Sequence, residues 1–397
     1  MKNNPETRLE EFVNEWSVDR ASNIFFIESD KGYPELPVLS ASQELGMVKR
    51  DNIGIDMQYS KQNIASYKRV KPGRFVIHLR SFQGGFAHSA IEGITSPAYT
   101  VLSLKEPKKH DDYFWKYLFT SPEFIKRLEL VTYGIRDGRS ISVDDFFNLP
   151  FCYPSSPEEQ HKIAQFFSRL DSLITAEDKK LERLKKIKSA SLEKMFPKQG
   201  ETVPEVRFKG FTGEWMESRI GDCFSERKER SGIGEMLSVT INSGVRKARE
   251  LDRTVHIGDT SNYKVVRQGD IAYNSMRMWQ GASGYSQYDG IVSPAYTVII
   301  PKERIDSRFF ACLFKTQHMI HVFELNSQGL TSDTWNLKYG QLRSILVKYP
   351  VDLKEQIYIA EYFSRLDILI SAQEQKSEKL RSLKKSFLEK MFVSTPK

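Results

Sequence analysis

The sequence predicts an α+β protein built as two tandem copies of one unit, each a mixed helix-and-strand domain followed by a long helix. Three observations carry this. Residues 159–196 return without a gap at 355–392, with about half the positions identical. Ile94-Thr-Ser-Pro-Ala-Tyr-Thr-Val101 returns as Ile291-Val-Ser-Pro-Ala-Tyr-Thr-Val298. Ahead of each helical segment, short β-like runs alternate with turns. Solenoid and propeller repeats have periods of roughly 20–50 residues. A longer repeat is a duplicated domain, the pattern of a protein that binds two similar targets at a fixed separation.

The bulk properties narrow the class. Of 397 residues, 40% are hydrophobic and 28% charged, the balance of a soluble chain with genuine cores. A net charge of +8 points mildly to a polyanionic partner, although a basic balance is common. Cys152, Cys223 and Cys312 are isolated and odd in number, which argues against a disulfide framework or zinc site and fits a reducing compartment. The first 30 residues hold no apolar signal core, and nowhere do 18 apolar residues run together. A cytoplasmic location without membrane contact is expected.

Four segments follow from the repeat: a domain over 1–156, a helix over 157–197, a second domain over 198–352 and a second helix over 353–397. Pro157-Glu-Glu-Gln opens the first helix, with proline in the first turn and acids where the helix dipole favours them. Ile163, Phe167, Leu170, Ile174, Leu181 and Leu184 then recur at steps of three, four or seven, and Pro197 stops the run. The copy has Ile359, Phe363, Leu366, Ile370, Leu380 and Leu383. Such helices would be roughly 55–60 Å long. Apolar stripes this narrow want partner helices. The simplest solution is an antiparallel coiled coil of the two; the alternative folds each helix back on its own domain. Within the domains, strands are expected at Arg74–Leu79, Tyr99–Leu104, Ala295–Ile300 and Ile345–Tyr349. A helix is expected at Asp112–Leu128, matched at Ser307–Leu325. Glycines and prolines across 198–213 mark the joint between halves.

A search for catalytic motifs is negative. The chain has no phosphate loop, no dinucleotide fingerprint, no Asn-Pro-Pro-aromatic tetrapeptide, no H-E-x-x-H and no G-x-S-x-G. His318 and His321 lie three apart, but nothing nearby completes a metal shell. Binding groups are plentiful. Arg69, Lys71 and Arg74 cluster in the first domain, and Arg246, Lys247 and Arg249 in the second. Such cations neutralise phosphates and release counterions, although a cluster of this kind also suits a solvated loop. The two halves diverge in one telling place: Gly134-Ile-Arg-Asp-Gly-Arg-Ser-Ile141 lies opposite Gly329-Leu-Thr-Ser-Asp-Thr-Trp-Asn336, so Arg136 and Arg139 become Thr331 and Thr334. Arginine pairs bidentately with guanine edges, whereas Thr, Asn or Gln suits other bases. Arg80 and Gln83 recur as Arg277 and Gln280, in loops where they either touch DNA or hold their own backbone.

The order of domain, E-Q-x-x-I-A-x-x-[FY]-F-S-R-L-D-x-x-I helix, Pro204-Glu-Val-Arg-Phe-Lys-Gly-Phe-Thr-Gly-Glu-Trp215 joint, second domain and second helix resembles the DNA-specificity subunit of type I restriction–modification systems. Asn274-Ser-Met-Arg-Met-Trp-Gln-Gly-Ala282 with Gly290-Ile-Val-Ser-Pro-Ala-Tyr296 is similar to that family's second target-recognition domain; the first domain, with His78-Leu-Arg-Ser-Phe-Gln-Gly84, departs more. The resemblance covers nearly the whole chain. It implies two target-recognition domains, each reading half of a split double-stranded DNA site, with helices that fix the spacer. It also implies two methyltransferase subunits carrying S-adenosylmethionine, and a translocase–nuclease subunit using ATP and Mg. This chain would hold no cofactor and supply no catalysis. Arg169, Asp171, Arg365 and Asp367 would face the methyltransferases or form a surface ion network. Two other classes stay open: a protein-only scaffold, and the recognition half of a fused methyltransferase or nuclease.

Overall fold

The repeated sequence builds a repeated architecture. The computed structural model describes residues 4–42, 45–53, 61–77, 86–133, 140–241, 243–251, 259–329 and 335–393. Its contacts divide the chain into a first unit, Met1–Asp178 with Gln375–Lys397, and a second, Lys179–Glu374. The first unit runs β1 (Ser17–Arg20), α1 (Ala21–Ile24), β2 (Phe25–Glu28), β3 (Leu39–Ser42), β4 (Gly46–Lys49), β5 (Lys68–Val70), β6 (Arg74–Ile77), β7 (Ala87–Ser89), β8 (Gly93–Thr95), β9 (Thr100–Leu104), α2 (Asp112–Thr120), α3 (Pro122–Leu130), β10 (Thr132–Tyr133), β11 (Ser140–Ile141), α4 (Val143–Asn148), β12 (Pro150–Tyr153) and the start of α5 (Pro157–Lys194). The second continues with β13 (Met216–Arg219), α6 (Ile220–Cys223), β14 (Phe224–Glu226), β15 (Leu237–Thr240), β16 (Gly244–Lys247), β17 (Lys264–Val266), β18 (Ile271–Asn274), β19 (Ser283–Tyr285), β20 (Gly290–Val292), β21 (Tyr296–Pro301), α7 (Ser307–Leu313), α8 (Gln317–Asn326), α9 (Tyr339–Leu342), β22 (Leu346–Tyr349) and the start of α10 (Leu353–Lys390).

In the first unit a four-stranded antiparallel sheet has the order β2-β9-β6-β7, and in the second the order is β14-β21-β18-β19. The registers correspond, with Phe75 opposite Leu102 and Ile271 opposite Ile299. Side chains alternate across each strand. Phe25, Phe75 and Leu102 pack with Phe114, Trp115 and Phe119 on the helical side, while Val76 and Val101 face Leu39, Met47 and Val70 from the β3–β4 and β5–β8 pairs. The second unit repeats both layers with Phe224, Ile271, Phe309 and Phe310 on one side and Leu237, Val245, Val266 and Val298 on the other.

The single helix expected over Asp112–Leu128 is two. Ser121 caps α3 by accepting the Phe124 amide, and Pro122, which lacks an amide proton, takes the first-turn position where none is needed. The matching helix over Ser307–Leu325 is also split, with the Thr316 hydroxyl accepting the Met319 amide. Each break turns a second short helix onto the core.

The long helices form an antiparallel pair within each unit. In the first, Phe167 stacks on Phe392, Asp171 pairs with Lys384 and Asp178 with Arg381, so one index rises as the other falls. In the second, Phe363 meets Phe196, Asp367 pairs with Lys188 and Glu374 with Lys185. The apolar stripe serves two partners. Ile163, Phe167 and Leu170 join the first unit's core, and Ile359, Phe363 and Leu366 the second's. Ile174, Leu181, Leu184, Ile370 and Leu380 are half-buried. Leu383 departs from the expectation of a packing residue: it is 43% exposed, because Lys384 takes the facing position through its bond to Asp171. The first unit's pair also has a polar contact, with Ser377 buried and donating to Asp178. No helix among the described residues is long and apolar enough to cross a membrane.

The joint explains the repeated Glu-Gln. Arg207 forks onto Glu355 at 2.6 and 2.8 Å, and Arg8 onto Glu159 at 2.7 and 2.8 Å. The Trp16 indole also donates to Glu159. Gln160 holds the Lys109 and Pro154 carbonyls while accepting from the Asp111 amide; Gln356 does the same for Arg304, Pro350 and Asp306. The Val206 amide donates to the Lys194 carbonyl at the end of α5, and the Thr7 amide to Lys390 at the end of α10. Residues 5–16 therefore duplicate the joint at 204–215, and the repeat reaches back to Pro5.

Removing one partner of a buried ion pair costs about 3–5 kcal/mol, because the other charge is stranded. Glu355→Ala is expected to destabilise the protein by about that amount, and Glu355→Met with Arg207→Met by much less. Urea unfolding of the two variants measures the difference.

Candidate nucleic-acid interface

In the second unit three chain segments converge above the sheet: the β15–β16 hairpin tip, the turn at 275–282 after β18, and residues 335–337. A Cβ on Gly284 would lie 2.6 Å from the Gly244 Cα, so β16 and β19 touch through glycines. The Leu337 amide donates to the Ser275 carbonyl, and Trp279 meets Trp335 edge-on at 5.2 Å. The turn itself is a single 3₁₀ turn at Met278–Gln280, closed by Gly281 at φ +82°, a left-handed conformation glycine adopts without strain. Arg277 and Met276 stand exposed on it. Gln280 differs from its neighbour: its side-chain carbonyl is buried without a hydrogen-bond partner among the described residues, so it faces the loop interior.

The basic clusters separate into compensated and free charges. Arg69 bonds Glu92 and Asp30 and lies over the Tyr33 ring. Lys71 and Arg74 both hold Glu28, at 3.1 and 2.7 Å. Burial pushes the Glu28 carboxyl up, but hydrogen bonds from Ser103, Arg74 and Lys71 outweigh it and hold it at about 2. Its stabilising contribution is therefore full above the ordinary value of 4.5 and is lost as pH falls towards 2. The second unit shows what this position does. Glu28 pairs with Val101 and Arg74 precedes Phe75; the matching places are Arg227, bonded to Val298, and Asp270, preceding Ile271. Arg227 and Asp270 form the same bridge at 2.7 Å with its charges exchanged. The duplication keeps the bond and not the sign, so Arg74 is held as a structural partner.

Arg249 reaches Glu235 at 3.3 Å, and the Lys247 amine lies 5.0 Å from the Tyr288 ring centre. Arg246 and Arg277 are exposed and carry no salt bridge among the described residues. Arg80, Gln83, Arg136, Arg139, Thr331 and Thr334 lie outside the described residues. The sequence reading missed Lys49, exposed at the end of β4 where β16 has Lys247; the Gly46-x-x-Lys and Gly244-x-x-Lys spacing was the available signal.

Each unit has a second surface on its own part of the helices. Leu173 and its counterpart Leu369 are 51% and 52% exposed, and Ile187 and Leu383 repeat the pattern. A groove of about 610 Å³ lies beside Leu173, lined by Gln165, Ser168, Arg169 and Ser172. Asp171 and Asp367 tie one helix to the other, whereas Arg169 and Arg365 are exposed. Among the described residues no group of His, Cys, Asp and Glu could hold a metal ion, and burial pushes the Cys152 and Cys223 thiols up to about 11, away from reactive thiolate.

The model of the type I restriction modification DNA specificity domain family matches the chain twice, over residues 8–186 and 213–382. The solved type I restriction–modification S subunit of M. genitalium is 16% identical over 99% of this chain and 100% of that one, with a TM-score of 0.62. A chain from work on complex assembly and conformational transition of the type I R-M system is 13% identical over 96% and 98%, with a TM-score of 0.56. At these identities the two structures speak for the fold. No curated protein sequence matches the chain.

Arg277→Ala is expected to lower the slope of log affinity against log salt by about 1 without loss of stability. Arg74→Ala is expected to leave that slope alone and to destabilise the first unit by about 1–3 kcal/mol, since Glu28 loses one of its partners and keeps Lys71 and Ser103. DNA titrations at several salt concentrations, beside urea unfolding, distinguish the two roles.

Proposed function

The chain belongs to the family of type I restriction modification DNA specificity domains, and we propose that it is the address-reading subunit of such a system, with each unit reading one half of a bipartite, asymmetric DNA site. The helix pair fixes the length of the unspecified spacer between halves. Methyltransferase subunits carrying S-adenosylmethionine dock on the helices and methylate adenine. A translocase–nuclease subunit using ATP and Mg joins to restrict unmodified DNA. Catalysis resides in those partners.

The observation that supports this reading best is the contrast between what the duplication keeps and what it changes. Sheet register, helix pair, Arg–Glu fork and glutamine clamp are kept in both units. The aligned sequences diverge elsewhere, with Arg136 and Arg139 against Thr331 and Thr334. One frame with two sets of polar tips suits two readers of different sequences. Exposed apolar side chains at matching helix positions, Leu173 with Leu369 and Ile187 with Leu383, suit two copies of one partner.

A protein-only scaffold is the second reading, favoured by the compensation of Arg69, Lys71 and Arg74 within their own unit. Genome-wide adenine methylation, read by single-molecule sequencing with and without this gene, separates them. A split motif that vanishes on deletion is expected. An unchanged methylome in cells that express the chain beside its methyltransferase would favour the scaffold.

A further inference from the structure

Between α7 and α8, Lys315 reaches away from its own helices. Its ammonium donates to the Ile241 carbonyl at the hairpin tip, at 2.7 Å, and to the Gly281 carbonyl that closes the Arg277 turn. The stem follows the same path, since a Cβ on Gly281 would lie 3.8 Å from the Lys315 Cδ. The charged groups facing this amine are Lys188 of α5 and Asp367 of α10, with the Cys312 thiol of α7 beside them. No carboxylate bonds it among the described residues. Burying an ammonium is costly unless it is bonded, and the two carbonyl bonds that hold this one tie the hairpin tip to the Arg277 turn. The first unit has Thr120 at this place, and that hydroxyl turns back onto the Tyr117 carbonyl.

We propose that Lys315 is a positioning residue for DNA recognition by the second unit, locking the hairpin tip and the Arg277 turn into one reading surface set against the helix pair. This rests on the DNA-recognition reading above. Burial, and then the Lys188 charge, push the amine down to about 8, while Asp367 and Cys312 oppose the shift. The charge that strengthens both bonds is therefore lost as pH rises through about 8.

The test uses the chain purified with its methyltransferase subunits, bound to duplexes that carry single base changes in either half of the site. Lys315→Met keeps the stem and removes both bonds. Discrimination in one half is expected to fall about tenfold, with the other half within twofold and thermal stability unchanged or higher. In the unsubstituted complex, discrimination in that same half is expected to fall between pH 7 and 9 while the other stays flat. If that variant does not fold, Lys315→Gln, whose shorter amide cannot span both carbonyls, is measured in the same way. Wild-type discrimination in both halves of the variant, or equal loss in both, would overturn the proposal. An unsubstituted complex that discriminates in neither half would instead overturn the DNA-recognition reading itself, and this inference with it.

Discussion

At the foot of each long helix a buried carboxylate accepts a forked arginine from the joint, and the arrangement of each unit depends on that contact. Glu159 and Glu355 are each almost wholly inside. An ion pair in such a place gains little net stability over a well-packed apolar pair, because desolvation offsets the Coulomb attraction. What it contributes is geometry. The fork fixes the joint against the first turn of the helix, and the adjacent glutamine fixes that same turn against the loop before α2 or α7. A helix anchored so firmly at its start points in one direction, and its partner's last turn can be met by a Met-Phe pair buried in the core, Met391-Phe392 in the first unit and Met195-Phe196 in the second.

Around that anchor the two units have drifted in an ordered way. Backbone-defining contacts are kept, among them the close approach of Gly93 to the Pro37 carbonyl and of Gly290 to the Glu235 carbonyl. Where a contact needs only opposite charges, the charges have exchanged, as Glu28–Arg74 and Arg227–Asp270 show. Between the two short helices identity has changed altogether: Thr120, turned onto its own helix, becomes Lys315. Selection on the frame and freedom at the tips is what a duplicated reader of two different sequences requires, and it fits the family to which the chain belongs.

Much of this was legible in the sequence. The helices, their antiparallel pairing and the joint follow from a repeat too long and too regular to arise otherwise. The breaks at Ser121-Pro122 and before Gln317 were visible as capping residues, but an apolar period running through them concealed the turn. Leu383 falls off the packed face because the stripe changes phase where Lys384 reaches Asp171. The Arg69, Lys71 and Arg74 cluster read as free positive charge because its carboxylates, Glu28 and Glu92, lie far along the chain and only the sheet brings them near. Lys315 had no sequence signal. Its role exists only when two distant loops meet over it.

The helix pair as a ruler is the central claim, and one measurement bears on it directly. One heptad inserted into each helix, after Asp178 and after Glu374, lengthens the pair by about 10 Å while preserving its facing positions. The methylation motif of cells carrying that chain is then read by single-molecule sequencing. Two unchanged half-sites separated by a spacer longer by about three base pairs, at 3.4 Å each, are expected. The original spacer, retained by a folded and active chain, would contradict the helix pair as the element that sets the distance.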